Sequence, residues 1–123
     1  MTDLSSHFVL IDPELIRADL PLRRITFIPA GAERFACTGK ISFEQTPSED
    51  DRGTVWTLNF RAVTLDSSVR NYDGREMYVG LVMTDGTIRV IGTASEVPRV
   101  RVTPYAAASE VACSFESASP VDL

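Results

Sequence analysis

Apolar residues fall at every second position through most of this chain, and a two-residue period leaves few folds open. Phe35, Cys37, Ile41 and Phe43 share one face of a run whose other face carries Arg34, Thr38, Lys40, Ser42 and Glu44. Trp56, Leu58, Phe60 and Ala62 alternate in the same way with Thr57, Asn59 and Arg61. Successive side chains of a strand point to opposite faces, so such runs bury one face and wet the other, as antiparallel sheets do. Gly39 breaks the first run on its apolar face, which predicts a bulge or a close backbone approach. The stretch 46–53, TPSEDDRG, separates the two runs and reads as the polar, acidic loop of a long hairpin.

A second hairpin is written around Thr84-Asp85-Gly86, between MYVGLVM and TIRVIG. Asp and Gly both tolerate the positive φ of a type I′ turn, which is the expected connection. Arg99 to Thr103 is a short alternating strand with Pro98 and Pro104 at its ends, an edge signature because proline cannot donate to a ladder. Tyr105 to Ser109 reads as a small-residue linker, and Val111, Cys113 and Phe115 mark a last strand before Ser119-Pro120.

Near the start, Ser6 to Ile11 is apolar, and Asp12-Pro13-Glu14 then combines a capping oxygen, a proline suited to the first helical position and a carboxylate at the positive helix end. This predicts a helix from about Pro13 to Asp19, stopping before Pro21. Ile25 and Phe27 resume the two-residue period until Pro29-Ala30-Gly31. Leu65 to Glu76 is a polar connection with a helical turn expected around Ser67 to Asn71 and a chain reversal at Asp73-Gly74. The reading is all-β: an antiparallel β-sandwich or partly open barrel of about seven or eight strands, with one short N-terminal helix, in a single domain over residues 1–123.

Composition narrows the function. With 123 residues, 44% hydrophobic, the chain can build one core without metal or disulfide staples. Its apolar runs are far shorter than the ~20 residues of a membrane helix, and no basic segment precedes an apolar one at the start, so neither a membrane nor a secretory role is expected. A formal charge of −5 argues against direct nucleic-acid binding, which draws on a basic excess to displace counterions. Cys37 and Cys113 lie 76 positions apart, fit no metal-ligand spacing and sit within apolar alternation, as reduced core thiols do.

No chemistry-bearing constellation stands out. His7 is the only histidine and has no predicted ligand partners. G-x-S-x-G, G-x-G-x-x-G and the P-loop pattern are all missing from the sequence. Glu49, Asp50 and Asp51 are consecutive, whereas a calcium loop spaces its carboxylates at alternate positions. The expectation is therefore a protein with no catalytic residues, no metal and no cofactor.

The remaining signal is charge. Arg89, Arg99 and Arg101 fall on alternating positions of strand candidates and read either as one basic strip or as charged edges that deter sheet-to-sheet aggregation. With the acidic hairpin Glu49, Asp50 and Asp51, a basic strip would allow head-to-tail contacts between copies. Arg70, Tyr72 and Arg75, in the polar connection, form a second candidate contact cluster, since Arg and Tyr are enriched at interfaces.

The order Asp85-Gly86-Thr87-Ile88-Arg89-Val90-Ile91-Gly92-Thr93, then Pro98-Arg99-Val100, then a strand from Val111 to Phe115 closing on Ser119-Pro120, resembles small β-rich proteins of phages and prophages of Bacteroidetes-type bacteria. The resemblance runs from about Met77 to Leu123. It implies a virion structural or tail-assembly protein without catalysis, whose partners are itself or other phage structural proteins, as a homo-oligomer or a mixed assembly. The location implied is the bacterial cytoplasm, or the virion once assembled. A second reading, a small β-sandwich module binding carbohydrate or peptide, would use Trp56, Tyr72, Tyr78 and Tyr105 as stacking residues.

Overall fold

A computed structural model describes residues 4–15, 24–25, 31–51, 53–92, 97–117 and 120–121. Eight strands build two four-stranded antiparallel sheets: β1 (Leu4–Ile11), β3 (Glu33–Ala36), β6 (Tyr78–Met83) and β7 (Ile88–Ile91) form sheet A, and β4 (Ser42–Asp50), β5 (Gly53–Thr64), β8 (Arg101–Tyr105) and β9 (Ala108–Ser117) form sheet B. A two-residue strand, β2 (Arg24–Ile25), adds to β7, giving the orders β2-β7-β6-β1-β3 and β4-β5-β9-β8.

The sheets pack as a sandwich and do not close into a barrel. Single bridges, Cys37 to Thr64 and Glu76 to Arg99, tie them where the chain passes from one sheet to the other. Inward residues of both sheets form one core, with Phe8, Leu10, Phe35, Val79 and Leu81 from sheet A meeting Leu58, Phe60, Val102, Val111 and Phe115 from sheet B. Phe8 stacks on Phe35 at 5.3 Å between ring centroids and meets Phe60 edge-on at 5.4 Å. Each such buried side chain contributes about 1.5–3 kcal/mol through area removed from water, and the paired rings about 0.5–1.5 kcal/mol more.

Sheet A is buried on its other face too, where Val9, Ile11, Tyr78, Val82, Ile88 and Val90 form a second cluster with Ala32 and Val97. Gly80 lies in this face between Val9 and Val90. Sheet B keeps its outer face in water: Ser42 and Glu44, Asn59 and Arg61, and Ser114 and Glu116 are exposed.

Several expectations change in detail. The run from Arg34 to Glu44 is two strands in two sheets, since β3 belongs to sheet A and β4 to sheet B, and Gly39, at φ +89°, lies in the crossing. The alternation survives because both inner faces look into the same core. The 46–53 stretch is strand up to Asp50, and the pairing of Asp50 with Gly53 leaves only a two-residue turn.

The β6–β7 connection is a three-residue loop in which Gly86 alone takes positive φ, +88°, and Asp85 Oδ1 accepts from the Thr87 amide at 2.9 Å. Among the described residues Ala106 is the only non-glycine with positive φ, so Asp85 does not adopt the type I′ geometry expected of it. The linker at 105–109 is a hairpin: Tyr105 pairs with Ala108 around Ala106-Ala107. At the start, Asp12 Oδ1 caps a 3₁₀ turn, Pro13–Leu15, by accepting from the Glu14 amide at 2.9 Å. The rest of the expected helix, 16–19, lies outside the described residues. The helical turn in the polar connection is present as a 3₁₀ helix, Ser67–Tyr72, capped by Asp66.

Candidate functional site

The outer face of sheet B carries a depression of about 630 Å³, and its shape follows from the register. Ser42 pairs with Arg61, Arg61 with Ala112, and Ala112 with Arg101, so one row across four strands sets one arginine on each side of an alanine. The next row places Glu44, Asn59 and Ser114 side by side. Small residues on β9 thus make a floor between the tall side chains of β5 and β8, and Arg99, just before β8, closes one end.

The three arginines differ in how far they are committed. Arg61 Nε, exposed, lies 3.5 Å from Oε1 of the half-buried Glu110, a separation too long for a strong ion pair. Arg99 donates to the Gly74 carbonyl and reaches Glu76 Oε1 at 3.4 Å. Arg101 is exposed and has neither a hydrogen bond nor an ion pair among the described residues. The depression therefore offers guanidinium groups, whose paired N–H donors match a carboxylate.

Arg89 does not join this surface. It sits on β7 of sheet A, 7% exposed, and donates to Thr87 Oγ1 at 2.6 Å. The reason is that sheet A is covered on both faces, so a strand of that sheet has no open face to present. Arg61 takes the place that local alternation assigned to Arg89.

Arg70, Tyr72 and Arg75 all make contacts within the molecule, with Arg70 and Arg75 still exposed and Tyr72 half-buried. Arg70 donates to Ser109 Oγ and to the carbonyls of Ala106 and Ala108. The Tyr72 hydroxyl donates to Glu33 Oε1 at 2.7 Å, while Arg75 lies over the Tyr72 ring at 5.3 Å and 3.6 Å from Asp12. Burial first, then the Glu33 carboxylate, pushes the Tyr72 phenol up to about 12. These contacts fasten the Ser67–Tyr72 turn to β3, to the Pro13–Leu15 turn and to the β8–β9 hairpin.

Glu49, Asp50 and Asp51 stand at the far end of the β4–β5 ribbon and are exposed. Among the described residues, pairing of β5 with β9 ends at Trp56, and beyond it Ser48 to Asp50 and Gly53 to Val55 form a two-stranded arm. The aromatic residues do not converge on a stacking face. Trp56 packs against the core, Tyr78 is buried, Tyr72 is held by Glu33, and Tyr105 is 56% exposed at the β8–β9 tip. Cys37 and Cys113 are free thiols, half-buried and buried. His7 lies half-buried in β1 opposite Ala36, and no group of three His, Cys, Asp or Glu side chains is placed to hold a metal among the described residues. No described helix is long and apolar enough to cross a membrane.

Comparison with protein-family models, with curated proteins and with solved structures finds no match for this chain.

Proposed function

We propose that this protein is a non-catalytic structural component of a phage-derived assembly, acting through protein–protein contacts as a virion or tail-assembly protein. The observation that carries the reading is the β4–β5 ribbon, whose last three residue pairs extend past the last described β5–β9 pair and include the exposed carboxylates of Glu49 and Asp50. An isolated two-stranded ribbon gains little stability in water, so a chain that keeps one exposed has a use for it that lies outside its own core. Exposed loops and tips on a rigid scaffold are also where binding residues concentrate.

The edges of sheet B agree with contacts made through the arm and the open face. At β8 the outer edge is occupied: Asp73 Oδ1 accepts from the Val102 amide at 2.9 Å, and Val100 exchanges backbone hydrogen bonds with Gly74 and Arg75. Pro47 on β4 and Pro104 on β8 blunt what remains against indiscriminate strand addition.

The test is the protein content of particles released from a host that carries the gene. An assembly component co-purifies with the particles at fixed stoichiometry and survives a salt wash. Its absence from every particle and sub-assembly, with a gene remote from phage structural genes, would defeat the reading.

A further inference from the structure

We infer that the acidic tip of the β4–β5 ribbon in one copy docks into the arginine-lined depression of a second copy, an arrangement that rests on the assembly reading above and names its partner. Residues 49–52, Glu-Asp-Asp-Arg, carry a net charge of −2, and the lining of the depression carries Arg61, Arg99 and Arg101 with Glu44. Glu110 and Glu76 stand beside Arg61 and Arg99, so Arg101 is the guanidinium open to an incoming carboxylate. Arg101 has no partner among the described residues and the Arg61 ion pair is long, at 3.5 Å, while Arg99 stays bound to the Gly74 carbonyl and reaches Glu76 at 3.4 Å, so carboxylates arriving from outside meet Arg101 first and Arg61 next.

The size fits a turn. About 630 Å³ takes several side chains and no folded domain, and a two-residue hairpin tip is about 5 Å wide between its backbones. The floor, with Ala112 and Ser114, is low and presents the Ser114 hydroxyl to a tip seated between Arg61 and Arg101.

The contact has to be between copies. Ser42, which lines the depression, and Asp50, at the tip, are eight positions apart on one strand, about 26 Å at a rise of about 3.3 Å per residue. Their separation is held by a continuous ladder from Ser42–Arg61 to Asp50–Gly53, so the tip cannot fold back onto its own depression. A docked pair leaves an unused tip at one end and an unused depression at the other. Such a heterologous contact closes into a ring or runs on as a tube or filament.

Charge reversal tests this directly. A tip variant, Glu49→Lys, Asp50→Lys and Asp51→Lys, and a depression variant, Arg61→Glu and Arg101→Glu, change only exposed side chains, and circular dichroism melts establish that each is folded. Molar mass by light scattering is read across protein concentration and from about 0.05 M to about 1 M salt, over which the screening length shrinks severalfold. Wild type is expected to grow with concentration and to shrink with salt. Each variant alone is expected to need about tenfold or more protein to associate, because like charges now meet. An equimolar mixture of the two is expected to recover the wild-type mass, since each reversed tip then meets a reversed depression. If either variant does not fold, the neutral pair Glu49→Gln with Asp51→Asn, or Arg61→Gln with Arg101→Gln, replaces it, with weakened association expected. Assembly of both variants as readily as wild type would overturn this contact and leave the assembly reading standing. A wild type that is monomeric throughout would overturn the second copy as the partner, and the particle analysis above would decide the assembly reading separately.

Discussion

Arg70 reaches from the Ser67–Tyr72 turn across to sheet B and donates a 2.9 Å hydrogen bond from Nε to the hydroxyl of Ser109, a residue 1% exposed. The same guanidinium holds the Ala106 and Ala108 carbonyls at 3.1 and 3.3 Å, so one side chain satisfies a buried hydroxyl and pins a hairpin turn. Replacing Arg70 by Ala strands that hydroxyl, and the expected loss is about 1–3 kcal/mol. Ser109→Ala removes the hydroxyl together with the need for its donor, so the double variant is expected to lose less than the two single losses added. Urea denaturation of the four proteins measures the coupling. Strict additivity would show that the bond carries no stability.

The turn that Arg70 holds contains its own strain. Ala106 has φ of +50° at the first central position of a two-residue loop, where a type II′ turn calls for glycine. A left-handed backbone costs an alanine about 1–2 kcal/mol, and glycine gives back about 0.5–1 kcal/mol of that advantage through its extra freedom in the unfolded chain. Ala106→Gly is therefore expected to stabilise the protein by about 0.5–1 kcal/mol. A higher urea midpoint with unchanged slope would be the supporting result, and a lower midpoint the opposing one.

That hairpin also shows why part of the fold was hidden in the sequence. Ala106-Ala107 carries none of the glycine, asparagine or aspartate that usually announces a turn, and only the pairing of Tyr105 with Ala108 reveals it. The strands themselves were legible wherever one face is buried: Leu58, Phe60 and Ala62 lie in the core as their spacing predicts. Parity could not separate one bulged strand from two, because Phe35 and Phe43 face the same core from different sheets. Arg61 could be placed on the wet face, but its meeting with Arg101 depends on the order β5-β9-β8, which no local pattern encodes. The misplacement of Arg89 had an available signal: the unbroken apolar run from Met77 to Met83 marks a sheet covered on both faces.

Thiol burial predicts a fall in stability at high pH. Burial pushes Cys113 up to about 12 from an ordinary value of 9.0, because the thiolate would lose its hydration in the core. Above pH 9.0 the unfolded thiol gives up its proton while the folded one keeps it, so the folded state binds more protons and stability falls as pH rises. One such group lowers stability by up to about 1.4 kcal/mol per pH unit until its folded value is reached. Cys113→Ala is expected to flatten the decline of the melting temperature between pH 9.0 and about 11, the region below the folded value of Cys37 as well. An unchanged slope in the variant would place the loss elsewhere.

Gly80 is the clearest packing constraint on sheet A. It pairs with Val9 on one side and Val90 on the other, and a Cβ built on it would lie 2.7 Å from Ile88 Cγ2 and 3.4 Å from Val9 Cβ. Its backbone imposes no left-handed requirement, so the cost of a side chain here is one of space alone. Gly80→Ala forces Ile88 off its position in a cluster that includes Val9, Val82 and Val90, and the expected loss is about 1–3 kcal/mol. Ile88→Ala removes the Cγ2 that the new Cβ would meet, so the double variant is expected to lose less than the two single losses added, even though Ile88→Ala alone costs about 2–5 kcal/mol. Chemical denaturation of the pair reads the compensation: a double variant weaker than both single changes combined would mean that the outer face of sheet A cannot yield around residue 80.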